Sequence, residues 1–412
     1  MTGEDGRRRP DPRPRFGPGL PATVWALGLT SLLMDASSEM IHALLPVFLT
    51  GTLGASALVV GLVEGLGEAV AAVCKLIGGR LADRLGRRKP VVVAGYGLAA
   101  LSKPLFALAV SPALVIAARV IDRIGKGLRG APRDALIADW VDEARRGAAF
   151  GLRQSLDTVG ALLGPLLASL LVVAFAGDLR AVFLVAVVPA GLSVAVLLRF
   201  VRERDRPAPE AAASATPPRR ALPSDIRMLP ARFWLLVLIG ALLMGGRAGE
   251  AFLLLAAGRQ GMASALVPLV FVAMNAVYAA SAYPAGRLAD RIGAGRLFAI
   301  GGALLLAADL MLAAGAQGPA FWAAVAVWGL HMGLTQSLLA ALVSATLPEE
   351  KRATGFGVFH MLFGLAALAA GLLAGRLWDV GGPAATYAAA AALAGTTLLL
   401  ALAVARPARR AR

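Results

Sequence analysis

The sequence predicts an all-α polytopic membrane protein of twelve transmembrane helices in two pseudo-symmetric six-helix bundles. Three observations carry that prediction. Of the 412 residues, 58% are hydrophobic and 16% charged, with a mean hydropathy of +0.72; a soluble domain cannot bury so much apolar surface. Apolar stretches of about 20 residues, enough to cross a bilayer at about 1.5 Å per residue, recur along the whole chain. Finally, "GRLADRLG" from Gly79 to Gly86 returns as "GRLADRIG" from Gly286 to Gly293, at matching points of two equal halves.

The expected spans fall near 22–50, 56–79, 91–110, 112–135, 148–175, 179–200, 233–257, 263–285, 297–315, 320–346, 353–377 and 384–405. The first follows a basic, proline-rich tail at 1–20. Its apolar run is too long for a cleaved leader, so it reads as a membrane helix. Cys74, the single cysteine, lies in the second span and leaves no disulfide framework or cysteine metal cluster to build. Residues 201–230 are charged, alanine-rich and broken by prolines, with nothing to bury, and read as a tether. The expected organisation is therefore a tail at 1–20, a bundle at 21–200, the linker at 201–230, a second bundle at 231–406 and a basic tail at 407–412.

A net charge of +16 raises the question of nucleic acid, and its placement answers it. Arginine and lysine crowd the N-terminal tail, the links after spans 2, 4, 6 and 8, and the C-terminal tail. The alternate links "TGTLGAS", "VSP" and "AAGAQGP" carry none. By the positive-inside rule both termini and the central tether face the cytoplasm, and a multi-pass protein of the inner (plasma) membrane is expected, with the lipid bilayer rather than nucleic acid as its partner.

The segment "GGRLADRLGRRKP" matches the form G-x-L-x-D-R-x-G-R-R/K through Gly79, Leu81, Asp83, Arg84, Gly86, Arg87 and Arg88. The second copy keeps Gly286, Leu288, Asp290, Arg291 and Gly293, then departs at Ala294 and Gly295. A loop of this form after the second helix of each six-helix half resembles the major facilitator superfamily, and the resemblance covers nearly the whole chain. It implies two bundles related by an axis along the membrane normal, with helices 1, 4, 7 and 10 lining a central cavity. It also implies a gating role for the loops, Asp83 joining a charge relay to the other half that holds the outward-open state. No cofactor is implied, and the fold works as a monomer.

Ionisable side chains inside a span cost roughly 2.5–3.5 kcal/mol on insertion scales and are expected to face a water-filled cavity. Span 1 carries Asp35 and Glu39 four apart, with His42 beyond; span 2 carries Glu64 and Glu68, again four apart. Span 4 carries the stripe Arg119, Asp122, Arg123, Lys126 and Arg133; span 5 has Arg153 and Asp157, and span 7 has Arg247 and Glu250. Spans 3, 6, 9 and 12 are nearly free of internal charge, Lys103 being the main exception. Asn275 takes the place in the second half that Glu68 takes in the first, which suggests proton chemistry in the N-terminal half.

These positions point to secondary active transport. A carboxylate poised between burial and a nearby cation can load a proton on one side and release it on the other; Asp35 or Glu39 is the expected carrier, with Arg119 tuning it. "RVIDRIGKG" resembles the R-x-x-Q-G-x-G element of proton-linked members, with Asp122 and Arg123 departing from it. Gly160, Gly164 and Pro165 form the G-x-x-x-G-P pattern of antiporter families, so export of a small organic compound in exchange for protons is favoured. Proton-coupled uptake of a metabolite and movement of a metal stay open, the latter through His42, His331 and His360 beside Met332 and Met361. No HExxH, G-x-S-x-G or GxxxxGK[ST] pattern occurs, so neither an enzyme nor an ATP-driven pump is expected.

Overall fold

The computed structural model describes residues 15–16, 19–203, 229–348 and 352–405. Most of the expected tails and tether lie outside these residues. The first half consists of α1 (Ala22–Thr52), α2 (Ala57–Leu85), α3 (Lys89–Ala107), α4 (Pro112–Trp140), α5 (Arg146–Ala174) and α6 (Leu179–Phe200). The second consists of α7 (Ala231–Arg259), α8 (Pro268–Ile292), α9 (Ala294–Ala313) and α10 (Pro319–Thr346), followed by α11 (352–381) and α12 (383–405).

Local signals place the boundaries. Prolines sit in the first turn of α3, α4, α8 and α10, where the missing N–H costs nothing. Asp178 caps α6 by accepting from the Arg180 N–H at 2.9 Å. The repeated octapeptide closes both α2 and α8 on its last residue at positive φ, Gly86 as a left-handed cap (φ 63°, ψ 2°) and Gly293 in a more extended form (φ 92°, ψ 137°). Gly382 (φ 68°, ψ −163°) separates α11 from α12. The Thr386 hydroxyl donates to the Ala374 carbonyl at 3.2 Å, twelve residues away; a continuous helix would hold those residues about 18 Å apart, so the chain reverses there.

Both halves open with an interrupted helix. In α1 the first piece, Ala22–His42, stops at Ala43 and Leu44 before Pro46. In α7 the first piece, Ala231–Arg247, stops at Ala248 and Gly249, both at positive φ (51° and 91°), before Glu250 starts the second. Each break leaves a nitrogenous side chain, His42 or Arg247, in the last turn of the preceding piece, where the helix dipole favours a cation.

The halves meet along α2 and α11 and along α5 and α8. Gly61 and Gly371 are in backbone contact, and a Cβ on Gly65 would stand 2.5 Å from the Leu368 Cα. Such close approach without side chains is how apolar helices pack in a membrane. At the end opposite the repeats, Asp379 of α11 caps α2 across the interface, accepting from the Ala57 and Leu58 N–H groups at 2.8 and 3.0 Å. The Ser169 hydroxyl of α5 donates to the carbonyl of Ala265, just before α8, and the buried second piece of α7, Ala251–Ala257, closes over the same end.

Candidate functional site

A cavity of about 560 Å³ lies between the halves and opens toward the end that carries the repeats. Its first-half wall presents Asp35 and Glu39 of α1, Glu68 and Lys75 of α2, Lys126, Arg129 and Arg133 of α4, and Arg153 and Asp157 of α5. Its second-half wall presents Met244, Asn275, Tyr278, His360 and Phe363.

The antiporter-like glycines set the position of two of those acids. A Cβ on Gly160 would stand 2.6 Å from the Leu32 carbonyl oxygen and 3.2 Å from the Asp35 Cβ. One on Gly164 would stand 2.7 Å from both the Ala36 oxygen and the Glu39 Cβ. The bare backbone of α5 thus lies directly on α1, one contact behind each carboxylate.

Below the cavity the charges form a connected chain. The His42 ring faces Glu39 Oε2 with Nδ1 at 3.1 Å and Glu64 Oε2 with Nε2 at 3.0 Å. Arg119 donates to the same Glu64 oxygen at 2.9 Å, and Phe271 of α8 packs edge-on against the His42 ring, with centroids 5.2 Å apart. Behind α4, Lys103 donates to Asp122 at 2.7 Å and to the Ser38 hydroxyl at 2.9 Å, both members of the ion pair being buried. Arg123 reaches Glu68 at 3.5 Å and Asp122 at 3.6 Å. Asp35 faces Arg129 at 3.8 Å, whose guanidinium lies 4.4 Å from the Tyr96 ring centroid. Arg133 donates to the Ser31 hydroxyl at 2.7 Å.

The charged stripe read along α4 is real, but its members face different ways. Arg119 pairs with Glu64 rather than with either of the carboxylates it was expected to tune, Asp35 and Glu39. It reaches Glu39 only through His42. Of the residues expected to line the cavity, Asp35, Glu39, Glu68 and Asn275 do so, with Lys126, Arg133, Arg153 and Asp157. Glu64, Arg119, Asp122 and Arg123 form the layer beneath, because their helices pack too closely there to leave open space. Arg247, Glu250 and His331 lie deeper in the second half. Arg247 donates through Nε to His331 Nε2 at 3.1 Å and through Nη2 to Thr335 at 3.2 Å, and His331 Nδ1 lies 2.9 Å from the Gly301 carbonyl oxygen. Nε2 therefore accepts and Nδ1 donates, which fixes a neutral ring with both nitrogens in use.

The loop residues act within their own half. Arg88 donates to the Ala135 carbonyl at 2.7 Å and pairs with Asp139 at the end of α4. Glu203 accepts from the backbone N–H groups of Arg88 and Lys89 and lies 3.7 Å from Arg87. Asp83, Arg84, Asp290 and Arg291 are exposed, with no ion pair among the described residues. The relay implied for Asp83 is therefore not formed among the described residues. A Cβ on Gly79 would meet only Ala131, at 3.6 Å, and one on Gly286 nothing; the tight contact belongs to the preceding glycine, Gly78, against the Leu128 backbone.

Three features escaped the sequence reading. Lys75 of α2 is not among the charges singled out from the sequence, although it lies seven residues after Glu68 and so on the same helical face. His42 was set among metal-ligand candidates rather than between two glutamates, and only tertiary contact joins it to Glu64. Asp309, inside apolar α9, is fully buried with neither carboxyl oxygen hydrogen-bonded; Trp328 Nε1 and the Tyr387 hydroxyl are likewise without partners among the described residues.

The chain has recognisable relatives. The sequence profile described as Major Facilitator Superfamily matches residues 27–370 and 250–412. An uncharacterised MFS-type transporter of Methanocaldococcus jannaschii is 31% identical over 367 residues, 88% of this chain and 89% of that protein. A multidrug resistance protein, MdtH, of Photorhabdus laumondii is 34% identical over 139 residues, 34% of each chain. Among solved structures, a mutant of the nucleoside transporter NupG superposes with a TM-score of 0.77 at 16% identity, covering 92% of this chain and 98% of that one. A bacterial homologue of the human lysosomal transporter Spinster, in an inward-facing and occupied conformation, gives 0.69 at 16% identity, covering 93% and 94%.

Proposed function

Because the chain belongs to the major facilitator superfamily and is a multi-pass transporter rather than an enzyme, we propose that it exports a small organic compound from the cytoplasm in exchange for protons. The observation that carries this reading is the relay His42–Glu39–Glu64 at the inner end of the cavity between the halves. An imidazole facing one carboxylate with each nitrogen can take a proton from one and pass it to the other. Glu39 touches the cavity and Glu64 is held by Arg119, so a proton on this group and a substrate in the cavity compete for the same charge balance.

The repeat-bearing end is the cytoplasmic one by its arginines, so the open cavity faces the cytoplasm and loads there. Closing that end and parting α2 from α11 at the other then exposes the site outward. A proton arriving at Glu39 displaces the compound, and reversal carries the proton in. The contact of Gly160 and Gly164 with α1 supports exchange, since it ties the packing of α5 to the positions of Asp35 and Glu39. The partial likeness to MdtH points the same way. Movement of a metal has less support: both ring nitrogens of His331 are engaged, and His360 sits among the rings of Phe356 and Phe359.

The test compares small molecules and metals in cells and medium for the wild type, Glu39→Gln and cells lacking the transporter. A compound expelled only by the wild type is expected. Accumulation inside the cell reverses the direction, and a change confined to metal content overturns the organic reading.

A further inference from the structure

We infer that the cavity is built for an organic anion with an aromatic or otherwise flat apolar body; this rests on the export reading for its direction but not for its chemistry. Charge is unevenly balanced across the two walls. Every carboxylate on the first-half wall has its own partner: Asp35 faces Arg129, Glu68 faces Arg123, Asp157 faces Arg153 at 3.3 Å and Glu39 faces His42. Arg133 is held by Ser31 and Asp134. Two cations are left over. Lys75 and Lys126 line the cavity, are exposed to it, and form neither an ion pair nor a side-chain hydrogen bond among the described residues.

Both lysines spring from one helix crossing. A Cβ on Gly127 would stand 2.5 Å from the Cys74 Cβ and 2.7 Å from the Ala71 carbonyl oxygen, so α2 and α4 touch there, and Lys75 and Lys126 are the next residues on either side. A lysine ammonium is a compact charge with three rotatable donors on a flexible stem. Two of them rooted at one crossing can converge on a single carboxylate, sulfonate or phosphate group.

The opposite wall carries no formal charge but offers surface for the rest of the molecule. Tyr278 and Phe363 give aromatic faces, Met244 an adaptable apolar contact, and Asn275 a donor and an acceptor. A hydrophilic anion such as acetate or inorganic phosphate would leave that wall unused, and a cation would meet two ammonium groups that no ion pair engages among the described residues. The volume suits a molecule of drug-like or smaller size.

The test is calorimetric titration of the full-length protein in detergent with three probes of one shape, 2-naphthoate, 2-naphthylmethylammonium and 2-naphthol, and with acetate. The expected result is binding of naphthoate in preference to the other three. Lys75→Gln and Lys126→Gln should each weaken it roughly tenfold, as loss of a charge-assisted hydrogen bond does, while Lys75→Arg and Lys126→Arg retain most of it. Tighter binding of the ammonium probe, equal binding of acetate, no binding of naphthoate, or naphthoate affinity unchanged in the double Gln variant each overturns the inference. Proton-driven movement of naphthoate in proteoliposomes is read separately: binding without transport overturns the export reading and leaves the ligand class standing.

Discussion

Gly164 of α5 lies against Glu39 of α1 so closely that a Cβ on the glycine would stand 2.7 Å from the Glu39 Cβ and 2.7 Å from the Ala36 carbonyl oxygen. Neither neighbour is the end of a flexible side chain, so α1 or α5 must shift to admit a methyl group. Gly164→Ala is expected to destabilise the protein by about 1–3 kcal/mol, despite the better helix propensity of alanine. Gly151→Ala on the same helix meets nothing within 4 Å and gains roughly 0.5–1 kcal/mol from propensity. Melting temperatures of the two variants in detergent check the contrast.

His42 joins Glu39 to Glu64, and its two nitrogens have no other bonded partner among the described residues. His42→Gln keeps a donor and an acceptor but cannot carry a proton between the carboxylates. Transport driven by a proton gradient should fall by at least tenfold, whereas exchange of labelled for unlabelled compound without a gradient should persist. Loss of both activities, or of neither, would remove His42 from the coupling step.

The cross-interface cap from Asp379 to the start of α2 holds the end opposite the repeats closed. An N-cap contributes about 1 kcal/mol, so Asp379→Ala should raise the population open at that end roughly fivefold. Ala251 is buried there. In a Cys74→Ala background, Ala251→Cys should react with an impermeant maleimide added on that side about five times faster when Asp379 is also replaced.

How much of this was legible in advance follows from what each signal encodes. The twelve spans and the doubled octapeptide are local patterns, though hydropathy alone misses α4, whose charges lie on the inward face of an otherwise apolar helix, and does not divide α11 from α12. That Asp35, Glu39 and Glu68 face a cavity followed from their cost in lipid. Which acid meets which base did not. Arg119 sits one turn from Asp122 and Arg123 in sequence, yet it turns to Glu64 because Gly67 lets α2 approach: a Cβ on Gly67 would stand 3.2 Å from the Arg119 Nε. Pairings of this kind depend on helix rotation, and no single-helix pattern records it.

Lys103 and Asp122 form a buried ion pair in which each charge depends on the other. Lys103→Met should cost about 3–5 kcal/mol by leaving the carboxylate without its closest partner, while replacing both members with apolar residues is close to neutral. Thermal unfolding in detergent is therefore expected to show a large loss for Lys103→Met and recovery of most of it in Lys103→Met/Asp122→Leu. Equal damage in the single and double variants would assign the pair a role other than mutual compensation.

Asp309 presents the opposite case. It is buried in α9 with no hydrogen-bond partner for either oxygen among the described residues, and the neighbouring helices supply two further polar groups in the same condition, Trp328 Nε1 and the Tyr387 hydroxyl. An unsatisfied buried polar group costs about 1–3 kcal/mol. If the carboxyl is only a burden on the fold, Asp309→Leu, similar in volume and apolar, should raise the melting temperature and leave gradient-driven transport unchanged. That is the expected outcome, because Asp309 lines no part of the cavity and touches none of the His42 relay. A stabilised variant that no longer couples transport to protons would instead place a second proton-carrying group in the C-terminal half, outside the relay on α1 and α2.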